Sequence, residues 1–180
     1  MIVRIIAGEF GGRKIDAPDR VTTHAMSERG RNAMFNSIGR EIEGATVLDA
    51  FAGSGSIGIE ALSRGATRTT FVEKDRIAAK IIAKNLTSLN LETRSTLIRT
   101  TVNNWLDTSQ SEQFDIIFAD PPYMDTQFST VKKLFGLLKP GALMVLSHPG
   151  KGEVQLQDGI VVVDNRSYGN LYLTFFRREE

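Results

Sequence analysis

Four consecutive residues, Asp120-Pro121-Pro122-Tyr123, combine a carboxylate, two rigid imino acids and an aromatic ring. The set suits the exocyclic amine of a nucleobase. Such an amine is a poor nucleophile because its lone pair is delocalised into the ring. A catalyst must therefore hold both N–H hydrogens so that the lone pair faces the electrophile. The Asp120 carboxylate accepts one of them and the Pro121 carbonyl the other. Two successive prolines stiffen the backbone and keep that carbonyl in place. Tyr123 offers a face on which the base stacks, worth roughly 1–3 kcal/mol. Positioning then supplies most of the rate. Asp120 can also take up a proton once the nitrogen has become cationic. The alternative is a strand that simply ends in a Pro-Pro turn.

A second constellation lies upstream, in Val47-Leu48-Asp49-Ala50-Phe51-Ala52-Gly53-Ser54-Gly55-Ser56-Ile57-Gly58. Small residues here let backbone approach a ligand closely. The spacing Gly53-x-Gly55-x-x-Gly58 matches a dinucleotide fingerprint, a weak signal when alone. Asp49, ahead of the glycines, would repel a pyrophosphate and attract an amine. Glu73, at the end of the next apolar run, can accept hydrogen bonds from both hydroxyls of a ribose. A ligand with an adenosine ribose and a charged amino-acid end fits both acids, and S-adenosylmethionine is such a ligand. The alternatives are a ligand-free strand-to-helix turn and, for Glu73, a plain charge near a helix start.

The elements that must position these groups are legible as alternating apolar runs and amphipathic stretches. Residues 46–50, 69–73, 96–99, 114–119 and 142–146 read as strands covered on both faces. Asp75 reads as the cap of a helix with Ile77, Ile81, Ile82 and Leu89 on its apolar face. Asp125 reads as the cap of another, carrying Phe128, Val131, Phe135 and Leu138 and ended by Lys139-Pro140-Gly141. This alternation implies an α/β fold with a doubly wound, mostly parallel sheet. Two last runs, 159–164 and 170–176, are separated only by 165–169, too little for a crossover helix. They must pair as a hairpin, which brings the sheet to seven strands with one antiparallel. Ligands in such sheets bind beyond the carboxyl ends of the strands, where strand order reverses, so Asp49 and Asp120 should face one crevice.

Residues 1–44 read as a separate hairpin and helix, and 45–180 as the main domain. Val3-Arg4-Ile5-Ile6 and Arg13-Lys14-Ile15 flank Gly8, Gly11 and Gly12, and a helix follows from about Ser27 to Ile42. Residues 1–40 carry seven Arg or Lys (Arg4, Arg13, Lys14, Arg20, Arg29, Arg31, Arg40) against four acids (Glu9, Asp16, Asp19, Glu28). That local excess can attract phosphate although the whole chain has a net charge of +1. The absence of cysteine excludes disulfides and thiolate metal sites, and His24 and His148 alone make no histidine cluster, so no metal is expected. No apolar run is long enough to span a bilayer or to act as a secretory signal, which places the expected site of action in the cytoplasm.

The segments LDAFAGSGSIGIEALSRGA, VEKD and FADPPY together resemble class I methyltransferases that act on base amino groups. With VRIIAGEFGGRKI and THAMSERGRNAMFN, nearly the whole chain resembles the RsmD-type 16S ribosomal RNA guanine-N2 methyltransferases. The resemblance implies a Rossmann-like fold, an S-adenosylmethionine cofactor and a substrate in 16S ribosomal RNA or a partly assembled small subunit. It implies that Asp49, Phe51, Gly53, Ser54 and Gly55 line the methionine end, with Glu73 and Lys74 at the ribose and Thr101 or Val102 by the adenine. Asp120, Pro121, Pro122 and Tyr123 would hold the target amine. Arg4, Arg13, Lys14, Arg29 and Arg31 are candidates for RNA phosphates, on a chain expected to act as a monomer. Two departures stand out: no acid follows the third strand, where Arg99-Thr100-Thr101-Val102-Asn103 runs instead, and Gly30 and Asn32 occupy positions where the family has Val and Glu. The tetrapeptide recognises an amino group and not a ring, so methylation of adenine-N6 in DNA or RNA is the alternative activity. A non-catalytic RNA-binding factor fits less well because Asp49, Glu73 and Asp120 are all in place, and an NAD-dependent enzyme because of the acid ahead of the glycines and the Asp-Pro-Pro-Tyr segment.

Overall fold

The structure, a computed structural model, describes residues 1–19, 26–109 and 111–180. The chain opens with a two-stranded antiparallel hairpin, β1 (Ile2–Arg4) and β2 (Lys14–Asp16), followed by α1 (Glu28–Ile38). The Ser27 hydroxyl caps α1 by accepting the Gly30 amide at 3.0 Å, and a 3-10 turn at Gly39–Ile42 ends this unit. Arg20 and His24 lie outside the described residues.

Strands and helices then alternate: β3 (Thr46–Ala50), α2 (Ser56–Ser63), β4 (Arg68–Val72), α3 (Arg76–Ser88), β5 (Ser95–Ile98), α4 (Val102–Leu106), β6 (Phe114–Ala119), α5 (Phe128–Leu134) and β7 (Leu138–His148). A hairpin of β8 (Ile160–Tyr168) and β9 (Leu171–Arg178) completes a seven-stranded sheet in the order β5-β4-β3-β6-β7-β9-β8. β9 runs antiparallel to β7 and β8, while β3 to β7 pair in parallel. The expected sheet is therefore present. Its order reverses between β3 and β6, which sets the crevice between the ends of those strands.

Side chains alternate between the two faces of the sheet, and each face has its own core. Val47, Phe71, Phe118 and Val145 pack with Met34 and Phe35 of α1, Ile59 and Leu62 of α2, and Ile82 and Leu86 of α3. Leu48, Val72, Ile117 and Met144 pack with Trp105 of α4 and Val131 and Leu134 of α5. Ile5 and Ile15 of the first hairpin join the former core. The hairpin is also tied to α3, because the Asp16 amide donates to Asn85 Oδ1 at 3.1 Å and Asn85 Nδ2 donates to the Asp16 carbonyl at 2.9 Å.

Several local expectations need correction. Asp75 does cap α3, accepting the Ala78 amide at 2.8 Å, but Ile77 is 49% exposed. The buried stripe of α3 is Ala78, Ala79, Ile82, Asn85 and Leu86, one position round from the expected face. Gln127, not Asp125, precedes α5, and Lys139-Pro140-Gly141 lies inside β7, at a register shift opposite Phe114 and Ile116. The C-terminal strands continue through 165–168, leaving only Gly169-Asn170 at the turn. Among the described residues no helix is long and apolar enough to cross a membrane.

Candidate active site

The register of the sheet brings the chemistry-bearing residues to one edge. Ala50 pairs with Val72 and with Ala119, and Ala119 pairs with Leu146. The next residues along these strands, Phe51, Glu73, Asp120 and Ser147, therefore sit side by side at the carboxyl ends.

The glycine-rich loop between β3 and α2 is shaped by backbone that side chains resist. Gly53 and Gly55 adopt φ +57° and +78°, and Phe51 adopts φ 57°. A left-handed phenylalanine stores strain and is kept where the surroundings over-determine it. Gly58 is needed for a different reason: a Cβ there would lie 2.3 Å from the Phe71 ring and 2.9 Å from Asp49 Oδ2. Its bare backbone lets Asp49 Oδ2 accept the Gly58 amide at 2.9 Å. Glu73 grips the loop from the side, with Oε1 accepting the Gly53 amide and Oε2 the Asp75 amide, each at 2.7 Å.

A cavity of about 770 Å³ opens over this edge. Phe51, Gly53, Ser54, Glu73, Lys74, Thr101, Val102, Asp120, Pro122 and Tyr123 of the expected residues line it. Three do not. Asp49 lies behind the loop and is 1% exposed, while Gly55 and Pro121 are buried outside the lining. Asp49 Oδ1 is buried without a hydrogen-bond partner among the described residues, so one acceptor is left over beneath the loop. A smaller cavity, about 360 Å³, opens at the opposite end of the sheet, where Arg68 is committed to the Thr93 carbonyl and Thr96 hydroxyl.

Burial dominates the electrostatics. It raises Asp49 well above the ordinary carboxylate range, against the Gly58 amide, and the charges of Asp120 and Glu73 add to the rise. Burial likewise raises Glu73, opposed by the amides of Asp75 and Gly53. Asp120 is pushed up to about 7 by burial, opposed by a hydrogen bond from Ser147. Tyr123 is raised, chiefly by burial. A cation entering this cavity would lower the cost of holding the buried Asp49 and Glu73 and the half-buried Asp120 ionised.

Sequence reasoning missed two contributions. Ser147, 3% exposed at the end of β7, places its Oγ 3.2 Å from the Tyr123 hydroxyl. The only signal was a polar residue closing the apolar run 142–146. Met1, Ala17, Pro18 and Met26 of the N-terminal unit also line the cavity. No spacing announced this, because the contact depends on how the hairpin packs.

The proposed phosphate ligands divide. Arg13, Lys14 and Arg29 are exposed, and Arg4 is exposed in an ion pair with Glu28. Arg31 is a correction: it is 1% exposed, donates to the Arg4 carbonyl and lies 3.5 Å from Glu60. It has no face to offer RNA. Glu60, itself 0% exposed, also accepts the Ile6 amide at 2.9 Å, the Ala7 amide at 3.1 Å and Arg64 Nε at 2.9 Å.

A family model described as conserved hypothetical protein 95 matches residues 3–177. Ribosomal RNA small subunit methyltransferase D of Haemophilus influenzae is 35% identical, covering 79% of this chain and 76% of that one. Its namesake from Buchnera aphidicola subsp. Acyrthosiphon pisum is 35% identical, covering 76% and 70%. The solved structure of the Escherichia coli protein yhhF superposes with a TM-score of 0.89 at 29% identity, covering 99% of both chains. Since both the family model and relatives of this identity span most of its length, the chain belongs to the family of the bacterial ribosomal RNA small subunit methyltransferases D.

Proposed function

We propose that this enzyme transfers a methyl group from S-adenosylmethionine to the exocyclic N2 amine of a guanine in 16S ribosomal RNA. The observation that carries the reading is the meeting of two motifs on one cavity: the loop Phe51–Ser54 with Glu73 on one side, and Asp120, Pro122 and Tyr123 on the other. The names of the relatives add the small-subunit RNA. The cavity volume falls within the range of ligand sites for molecules of this size.

The bound cofactor supplies an electrophilic methyl group on a cationic sulfonium. Glu73 would accept ribose hydroxyls on the lone pairs that the Gly53 and Asp75 amides leave. Lys74, Thr101 and Val102 would flank the nucleoside, and Phe51, Gly53 and Ser54 the amino-acid end. Asp49 would act from beneath the loop, through its spare oxygen and by holding Gly58 and thereby Gly55. Asp120 would accept one N–H of the guanine amine and the Pro121 carbonyl, at the peptide link to the cavity-lining Pro122, the other, while Tyr123 would stack on the base. This arrangement turns the nitrogen lone pair toward the methyl group, and Asp120 then receives the proton that the alkylated nitrogen sheds.

Residues 1–44 serve as the RNA-contacting extension, with Arg4, Arg13, Lys14 and Arg29 toward phosphates. A domain this small recognises one base in a large RNA most readily when ribosomal proteins already shape the target, so the partner is 16S RNA or a partly assembled small subunit. The enzyme works as a monomer in the cytoplasm, where that substrate is found. Mass mapping of methylated nucleosides in ribosomal RNA from cells with and without the gene tests the reading. Loss of one N2-methylguanosine from 16S RNA is expected, and an unaltered 16S map overturns it.

A further inference from the structure

We propose that Ser147 is the positioning residue of the amine site: its hydroxyl donates to the Asp120 carboxylate and accepts from Tyr123, so that one strand residue sets both groups that hold the base. The inference rests on the functional reading above and assigns a residue that lies outside the Asp-Pro-Pro-Tyr motif.

The geometry comes from the sheet. Ala119 of β6 pairs with Leu146 of β7, which places Asp120 beside Ser147. Ser147 is 3% exposed, its Oγ lies 3.2 Å from the Tyr123 hydroxyl, and the strand register sets it next to Asp120, within reach of the carboxylate the proposal assigns to it. A serine hydroxyl has one proton. An ionised carboxylate only accepts, so that proton goes to Asp120. The Tyr123 hydroxyl must then donate to Ser147. The chain Tyr123 O–H to Ser147 O–H to Asp120 has one direction. It commits one carboxylate oxygen to Ser147 and leaves the other for the substrate amine, and it anchors the phenol so that the ring face is presented to the base. The neighbouring His148 is engaged elsewhere, with Nε2 2.9 Å from Thr174 Oγ1 and Nδ1 accepting the Gly150 amide. The other titratable groups about Asp120 are Asp49 at the end of β3 and, around the cavity, Glu73, Lys74, Asp75, Tyr123 and Asp125.

Loss of a hydrogen bond to an ionised group should cost kcat about ten-fold at pH 7. Because the Ser147 bond favours the carboxylate, its removal should raise the Asp120 titration and move the acidic limb of the kcat profile to higher pH. The test follows the Asp120 carboxyl by carbon NMR in the ligand-free protein and kcat against pH for wild type, S147A and S147T. S147A should shift both readouts upward and regain activity at pH 9, whereas S147T, which keeps the hydroxyl, should restore wild-type behaviour. If S147A does not fold, S147C replaces it, with volume kept and a weak donor. An equal loss of kcat at every pH with an unmoved Asp120 titration overturns the proposal, as does a threonine variant no better than alanine. A wild-type enzyme that leaves guanine unmethylated while S147A still moves the Asp120 titration overturns the functional reading alone.

Discussion

Glu73 and Gly53 are joined by a 2.7 Å hydrogen bond from the loop amide to the carboxylate, so the residue proposed to read the ribose also shapes the loop proposed to cradle the amino-acid end. Glu73→Ala removes both services. Cofactor affinity should fall by more than about ten-fold, the loss expected for hydrogen bonds to a charged group. Isothermal calorimetry checks this, and an unchanged dissociation constant would remove Glu73 from the site.

Asp120 has a different job, and its replacement should separate chemistry from binding. Asp120→Ala should lower turnover by about 100-fold or more, with cofactor affinity held within a few-fold. Equal loss of cofactor binding would count against its assigned role.

The rise of Asp120 to about 7 makes a statement about pH. The role proposed for Asp120 needs its ionised, accepting form, so kcat/KM should climb through that region. Stability runs the other way. Burial raises the folded carboxyl above its unfolded value, so the neutral form is favoured in the fold, and stability is lost as pH rises from about 4 to about 7. Asp120→Asn should therefore melt higher than wild type at pH 8, by roughly 2–4 °C for each kcal/mol recovered, and equal to it at pH 3. A lower melting temperature at pH 8 would show that the carboxylate is stabilised by partners instead.

Arg31 and Arg29 sit two residues apart and should behave oppositely. Arg31→Met removes the guanidinium beside a fully buried Glu60 and should destabilise the fold by about 3 kcal/mol in urea titrations. Arg29→Glu should leave stability nearly intact and flatten the salt dependence of RNA binding by about one unit of slope. A salt slope untouched by Arg29→Glu would place RNA elsewhere.

Gly58→Ala tests the packing beneath the loop. The added methyl would meet the Phe71 ring at 2.3 Å and Asp49 Oδ2 at 2.9 Å. Thermal melting should drop by several degrees and cofactor affinity should fall with it, since Gly55 and Gly58 share one short turn. A variant with wild-type melting and affinity would mean that Phe71 yields freely.

Much of the fold was legible because β3 and β6 are covered on both faces, and their sequences are accordingly apolar apart from Thr46 and one acid in each strand, Asp49 and Asp115. What escaped depends on tertiary context. Nothing in the spacing distinguishes Arg29 from Arg31, yet helix phase sends one to solvent and the other onto Glu60. The stretch 165–168 reads as loop from its polar composition, but β8 is an edge strand, and polar side chains are tolerated along it. Asp49, Glu73 and Asp120 were legible as acids at strand ends. That Asp49 stands behind the loop was not, because the sequence does not show which face of β3 it takes. Ser147 required the β6–β7 register before its neighbourhood to Asp120 could be seen.

Glu60 carries one more implication. Two amides from the first hairpin, the Arg31 guanidinium of α1 and the Arg64 guanidinium just past α2 converge on this carboxylate, one turn into the helix that begins at the glycine-rich loop. The arm proposed to meet RNA and the loop proposed to hold the donor are thus bolted to a common pin. Anyone redirecting the enzyme to a different RNA by grafting a foreign arm must carry over the pin's counterparts, a pair of aligned peptide N–H groups and an inward-facing arginine. A graft that omits them leaves Glu60 in the interior with Arg64 as its remaining partner and loosens the support behind the loop.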